Sequence, residues 1–141
     1  MGYVDVTPDR LLDFCGPILG FERFRRFALI PAPDAAPLHW LQSLDEPQLA
    51  FPCVAAAEIG MTYAAGRDLM TQVRARDWSH VQCWVLLAFA ADGSGLTVNL
   101  RAPVLINTVT RRAAQVIVRD ELPVSNSVET CREAALCAAT A

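Results

Sequence analysis

The sequence predicts a mostly β domain with one or two short helices. Short apolar stretches recur at close intervals, Pro, Gly and acidic residues punctuate them, and residues 96–102 and 114–119 alternate with a period of two. With 141 residues, 53% of them hydrophobic, the chain can bury one proper core and is too short for two ordinary domains.

Residues 11–14 form a first short apolar strand, which Gly16-Pro17 turns. Residues 27–30 form a second, stopped by the loop Pro31-Ala32-Pro33-Asp34. Residues 38–44 place Leu38, Trp40, Gln42 and Leu44 on one side and His39, Leu41 and Ser43 on the other. Asp45-Glu46-Pro47 is a turn signal, and residues 49–55 return as the hairpin partner. Residues 66–77 predict a short helix, because Leu69, Met70 and Val73 recur at helical spacing among charged residues. Residues 81–89 are apolar at nearly every position, as a central strand buried on both faces would be.

After the turn at residues 92–95, Thr97, Asn99 and Arg101 occupy odd positions against Leu96, Val98, Leu100 and Ala102, so one face belongs to the core and the other faces out. Pro103 cannot donate to a ladder and ends that pairing. Residues 104–106 begin another apolar run. Beyond Thr110-Arg111-Arg112 the alternation resumes, with Ala114, Val116 and Val118 set against Gln115, Ile117 and Arg119. Residues 125–141 are alanine-rich and poor in β-branched side chains. Ser127 could cap a short helix there, with Val128, Cys131, Ala135 and Ala138 along one side. The expected organisation is a β domain over 1–124 and a frayed or short-helical tail over 125–141.

A net charge of −3 argues against direct nucleic-acid binding, which needs an electropositive footprint. The cluster Arg23, Arg25 and Arg26 reads as a solvated face. The early acidic residues Asp5, Asp9 and Asp13 do not suit a secretory signal, and the apolar run over residues 83–91 is about half of a membrane-spanning length. A cytoplasmic protein without membrane contact is therefore expected. Cys15, Cys53, Cys83, Cys131 and Cys137 form an odd set without CxxC or zinc-type spacing, which fits reduced thiols packed as small hydrophobes. His39 and His80 stand in no nucleophile setting, and GPILG at 16–20 lacks the lysine and hydroxyl of a phosphate loop. The carboxylate pairs Asp45-Glu46 and Asp120-Glu121 sit at predicted turns. No catalytic residue, metal ligand or cofactor is expected.

GPILGFE at 16–22, FRRFALI at 24–30, LQSLDEP at 41–47 with LAF at 49–51, NLRAPVLIN at 99–107 and TRRAAQVIV at 110–118 together resemble the FliW family of flagellar assembly factors. The order and spacing match as well as the words, over residues 11–119. The resemblance implies a small β-barrel-like fold of antiparallel strands that works by choosing between protein partners and is not an enzyme. It implies binding of the RNA-binding translational repressor CsrA, antagonised away from its RNA site, and binding of flagellin. Flagellin export would then free the protein to capture CsrA and relieve flagellin translation.

A partner switch needs apolar anchors ringed by orienting polar groups. The candidate recognition group is Gln42, Ser43, Asn99, Arg101, Asn107, Arg111 and Gln115. Asn99 and Gln42 equally suit a second role, satisfying buried backbone groups at a bulge. On the recognition reading, Asn107→Ala or Arg111→Glu leaves the fold intact and weakens partner capture. Two other readings stand beside it: a small hydrolase using Cys53 or Cys83 with His39 or His80, and a FliW-like domain with a non-flagellar partner.

Overall fold

Seven strands close into a barrel in the order β4-β3-β2-β1-β8-β7-β5, with β4 pairing back onto β5. These are β1 (Leu11–Phe14), β2 (Arg26–Pro31), β3 (His39–Ser43), β4 (Ala50–Ala55), β5 (Val81–Phe89), β7 (Val104–Asn107) and β8 (Arg112–Gln115). Two short strands, β6 (Leu96–Val98) and β9 (Asn126–Ser127), extend the sheet from the far end of β5. The structure is a computed structural model and describes residues 7–89, 92–93, 95–118 and 126–127.

The barrel follows from three hairpin-like steps and one long-range closure. β1, β2, β3 and β4 pair antiparallel in sequence order, with Leu12 opposite Phe27, Leu29 opposite Leu41, and Leu41 opposite Phe51. Closure comes from β8, which lies parallel to β1 through Asp13 opposite Arg112 and Phe14 opposite Ala113. The sheet is thus antiparallel except at this seam. Closing it leaves no free edge around the barrel wall, where seven short strands would otherwise expose two.

Period-two alternation sends one set of side chains inward. Leu12, Phe14, Phe27, Leu29, Leu41, Trp84, Val104, Ile106 and Ala113 pack together inside, with the Phe14 and Phe27 rings 5.1 Å apart. Phe27 is fully buried. The outward set is covered in two places by the excursion between β4 and β5. Ala56, Ile59 and Tyr63 lie over Val54, Val85 and Leu87, and Gly60, at φ 70°, ends the 3-10 turn Ala56–Ile59 in a conformation that favours glycine. Further on, Val73 beyond the short helix α1 (Arg67–Gln72) packs onto Leu105, Ala114 and Val116.

Several expectations change in detail. The helix read over 66–77 ends at Gln72, because Arg74 takes a left-handed φ of 55° that no helix continues. β5 is buried on both faces only at its middle, where Trp84 faces the barrel and Val85 the covering segment; Gln82 and Ala88 are exposed. The strand read over 96–102 stops at Val98. Asn99 turns its Oδ1 back to accept from the N–H groups of Arg101 and Ala102, each at 3.2 Å, and closes a turn where the alternation suggested a continuing strand. Ser127 lies in β9, paired with β6 through Thr97, where the sequence suggested a helix cap. The tail positions Val128, Cys131, Ala135, Cys137 and Ala138, and the pair Asp120-Glu121, lie outside the described residues.

Candidate partner-binding surface

The seven candidate residues fall into two groups at opposite ends of β7. Asn107 and Arg111 flank the β7–β8 turn, and Arg111 shares a cavity of about 460 Å³ with Leu11, Arg26 and Leu44, which places Gln42 and Ser43 nearby at the end of β3. Asn99, Arg101 and Gln115 gather at the other end, where the Gln115 Nε2 donates to the Ala102 carbonyl at 3.4 Å. The single polar row suggested by the alternation is therefore two patches.

Most of these side chains hold their own chain together. Asn107 is 3% exposed; its Nδ2 donates to the Val73 carbonyl at 3.1 Å, and its Oδ1 accepts from Val109 N at 3.0 Å and Thr110 N at 3.3 Å. It ties the residues after α1 to the β7–β8 turn. Ser43, also 3% exposed, accepts from the N–H groups of Asp45 and Glu46 through Oγ, and the Gln42 Nε2 lies 3.0–3.1 Å from the carbonyls of Ser43, Pro47 and Leu49. Gln115 Oε1 accepts from Leu19 N at 2.9 Å. Arg111 sits at a left-handed φ of 64° and donates from Nε to the Leu11 carbonyl at 3.3 Å, across the parallel seam. The expectation that Asn107→Ala leaves the fold intact is corrected by this geometry, since the buried amide completes a hydrogen-bond set that alanine cannot replace.

The arginine cluster also acts locally. Arg26 pairs with Asp45 at 2.6 Å and its pKa is raised, first by that hydrogen bond and then by the carboxylate's charge. Arg25 donates to the Cys15 carbonyl at 3.3 Å, and the Arg23 guanidinium lies 5.3 Å from the centroid of the Phe24 ring. All three side chains are engaged with neighbouring parts of their own fold.

His39 and Cys53 face each other across the β3–β4 hairpin, a Cys/His pairing that a hydrolase reading would need. The chemistry runs the other way. The Cys53 thiol donates to the His39 backbone carbonyl at 3.6 Å, while the imidazole donates from Nδ1 to the Pro37 carbonyl and stacks edge-on against Trp84 at 4.7 Å. Burial pushes the Cys53 thiol up to about 12 and the Cys83 thiol up to about 11, away from the lowered values of reactive cysteines. Among the described residues, no three His, Cys, Asp or Glu side chains gather as a metal site, and no helix is long and apolar enough to cross a membrane.

The raised thiols have a measurable consequence. Below pH 9 both folded and unfolded chains hold these protons, so the thiols contribute no pH dependence. Above it the unfolded chain ionises first, and folding stability falls toward pH 11–12, at up to about 1.4 kcal/mol per pH unit for the deeply buried Cys53 and by less for Cys83, whose partial exposure to solvent weakens the effect. Urea unfolding at pH 8, 9 and 10 should give a falling midpoint that is flattened in a Cys53→Ser/Cys83→Ser double variant. An unchanged slope in that variant would place the effect on other groups.

Sequence reasoning overlooked a surface next to the second patch. Ile117 and Leu19 are large apolar side chains left 62% and 57% exposed. They border a cavity of about 400 Å³ that also involves Pro17, Leu69, Gln72 and Gln115. A larger one, about 600 Å³, adjoins it and shares Asp68, Leu69 and Ile117. The signal was present, since the alternation set an isoleucine on the outward side at 117.

A family model described as FliW protein matches residues 1–128. Similar curated proteins are flagellar assembly factors FliW: that of Syntrophotalea carbinolica is 30% identical, over 83% of this chain and 84% of its own length. That of Leptospira biflexa is 31% identical over 85% and 80%, and that of Lachnoclostridium phytofermentans 28% over 86% and 81%. A crystal structure of the flagellar assembly factor FliW superposes with a TM-score of 0.76 at 23% identity, covering 89% of each chain, and shows the same fold.

Proposed function

Since the chain belongs to the FliW family of flagellar assembly factors, we propose that it acts in the cytoplasm as a partner switch, binding a CsrA-type translational repressor and flagellin in turn. Free of flagellin, it captures the repressor and relieves the block on flagellin translation. The reading takes residues 1–124 as the binding domain and 125–141 as an appended tail whose first residues pair with β6.

The observation that carries this reading is a surface that pairs exposed apolar side chains with fixed polar groups. Leu11 and Leu44 stand beside Arg26 and Arg111 on one patch, and Leu19 and Ile117 stand beside Gln115 on the other. Such mixed patches suit protein recognition, with the apolar residues as anchors and the polar ones setting orientation. Holding Gln42, Ser43, Asn99, Arg101, Asn107, Arg111 and Gln115 in place through backbone contacts keeps the patches ordered before a partner arrives, which lowers the entropy cost of binding. In this account the buried members position turns, while Arg111 and Gln115 also reach the partner.

A competition tests the switch. The protein is loaded with the repressor, purified flagellin is added, and the released repressor is measured. Release in proportion to flagellin is the expected result; a stable ternary complex would sink the alternating mechanism. Arg111→Glu is expected to lose its bond to Leu11, at about 1 kcal/mol of stability, and to weaken capture of at least one partner while the barrel stays folded. Unchanged capture of both would remove Arg111 from the recognition group.

A further inference from the structure

The excursion between β4 and β5 is fastened at two points around α1. Tyr63 is buried, and its hydroxyl donates to the Leu100 carbonyl at 2.6 Å. Val73 is fully buried, and its carbonyl and that of Arg74 accept from the Asn107 amide. Between these pins no residue from 64 to 72 is buried. The small residues Ala64, Ala65 and Gly66 lead into α1, whose N-terminus has no side-chain cap. So short a helix does not sustain itself in water and takes its position from its seat. That seat is slight: Leu69 leans, half-buried, on the cluster of Val73, Leu105, Ala114 and Val116. Among the described residues, the hydrogen bonds of residues 64–72 all stay within 66–75, so none ties this stretch to the barrel.

The two adjoining cavities, of about 600 and 400 Å³, are walled by Asp68 and Leu69 of α1 and by residues 115–118. The second wall is fixed. Val116 N donates to the Pro103 carbonyl and Val118 N to the Arg101 carbonyl, each at 3.0 Å. On that side Ile117 and Leu19 keep most of their apolar surface in water.

We infer that residues 64–72 form a strap that closes on this wall, carrying Leu69 onto Ile117 and Leu19, and that the structure shows its open form. Closure removes the apolar surface of three side chains from water and breaks no hydrogen bond to the barrel. It also draws Arg67 and Asp68, the charged residues of the larger cavity, toward the wall, and their desolvation keeps the closed form the minor one. The small residues 64–66 supply the hinge at one end, and the bend at Arg74, with its left-handed φ of 55°, bounds the other. Since closure hides Leu19 and Ile117, the strap gates the second patch, whichever partner uses it. The gate goes beyond the function proposed above and stands independently of it, because it is tested on the protein alone.

Relaxation dispersion of backbone amides and of Leu and Ile methyl groups in the full chain reads the exchange between open and closed forms on the microsecond-to-millisecond scale. The expected result is one common rate over residues 64–72, a closed population of about 1–10%, the same rate at the Leu19, Leu69 and Ile117 methyls, and no dispersion at Tyr63 or Val73. Two substitutions at exposed positions should then move the population in opposite directions. Ile117→Ser removes the landing site and should lower the closed population at least threefold. Asp68→Leu replaces a desolvated charge with an apolar contact and should raise it at least threefold. A flat profile over 64–72, rates that differ along the segment, or methyls at 19 and 117 that do not share its rate would each overturn the strap in the unsubstituted protein. Populations that shift the same way in both variants, or do not shift, would overturn it too.

Discussion

Asn107→Ala is expected to lower folding stability by about 2–3 kcal/mol, the range for stranding buried backbone partners. The side chain is almost wholly enclosed and meets four backbone groups: the Val73 and Arg74 carbonyls and the N–H groups of Val109 and Thr110. Val109 and Thr110 are exposed, so water can replace the amide oxygen at the turn. Val73 is fully buried, and its carbonyl loses its donor with nothing to take its place. The loss should appear as a lower urea midpoint with an unchanged slope, accompanied by faster amide exchange in residues 67–75, which Asn107 holds against the barrel. A variant of nearly native stability that no longer captures partners would instead make Asn107 a surface recognition residue.

Phe27→Ala should cost more, about 3–5 kcal/mol. The ring is fully buried at the barrel centre, 5.1 Å from Phe14 and 6.4 Å from Phe51, and β2 is paired on both sides at this position, with Leu12 and Ser43. Paired strands on either side resist collapse into the space left behind, which puts the cost toward the upper end. Against a total stability of about 5–15 kcal/mol for a domain of this kind, the loss is a large share and should appear as a clearly lower urea midpoint. Trp40→Ala, one hairpin away but 41% exposed, is the internal comparison and should lose far less. Similar losses for the two would mean that the barrel interior is not the principal source of stability.

Short apolar runs bounded by turn residues made β1 and β2 legible, and alternation followed by the acidic turn at Asp45-Glu46-Pro47 did so for the β3–β4 hairpin. The barrel entered only through resemblance to a family. Its closure joins Asp13 to Arg112, a pairing that leaves no mark on either segment taken alone. The site was legible as a set of residues and misread as a surface. Periodicity separates polar from apolar side chains, but it cannot distinguish an amide facing water from one bent back to its own backbone, as in Asn99 and Asn107. Ile117 shows the complementary failure: the alternation placed it on the outward side without giving it a role, and it borders the adjoining cavities.

The parallel seam also sets an order of assembly during synthesis. β1, β2, β3 and β4 emerge first and can pair as each leaves the ribosome, yet β1 keeps one bare edge until residues 112–113 arrive. Loop closure over so long a span is a slow step in β folding. Until then the nascent sheet stays open along β1, and the barrel exists only once β8 has docked there.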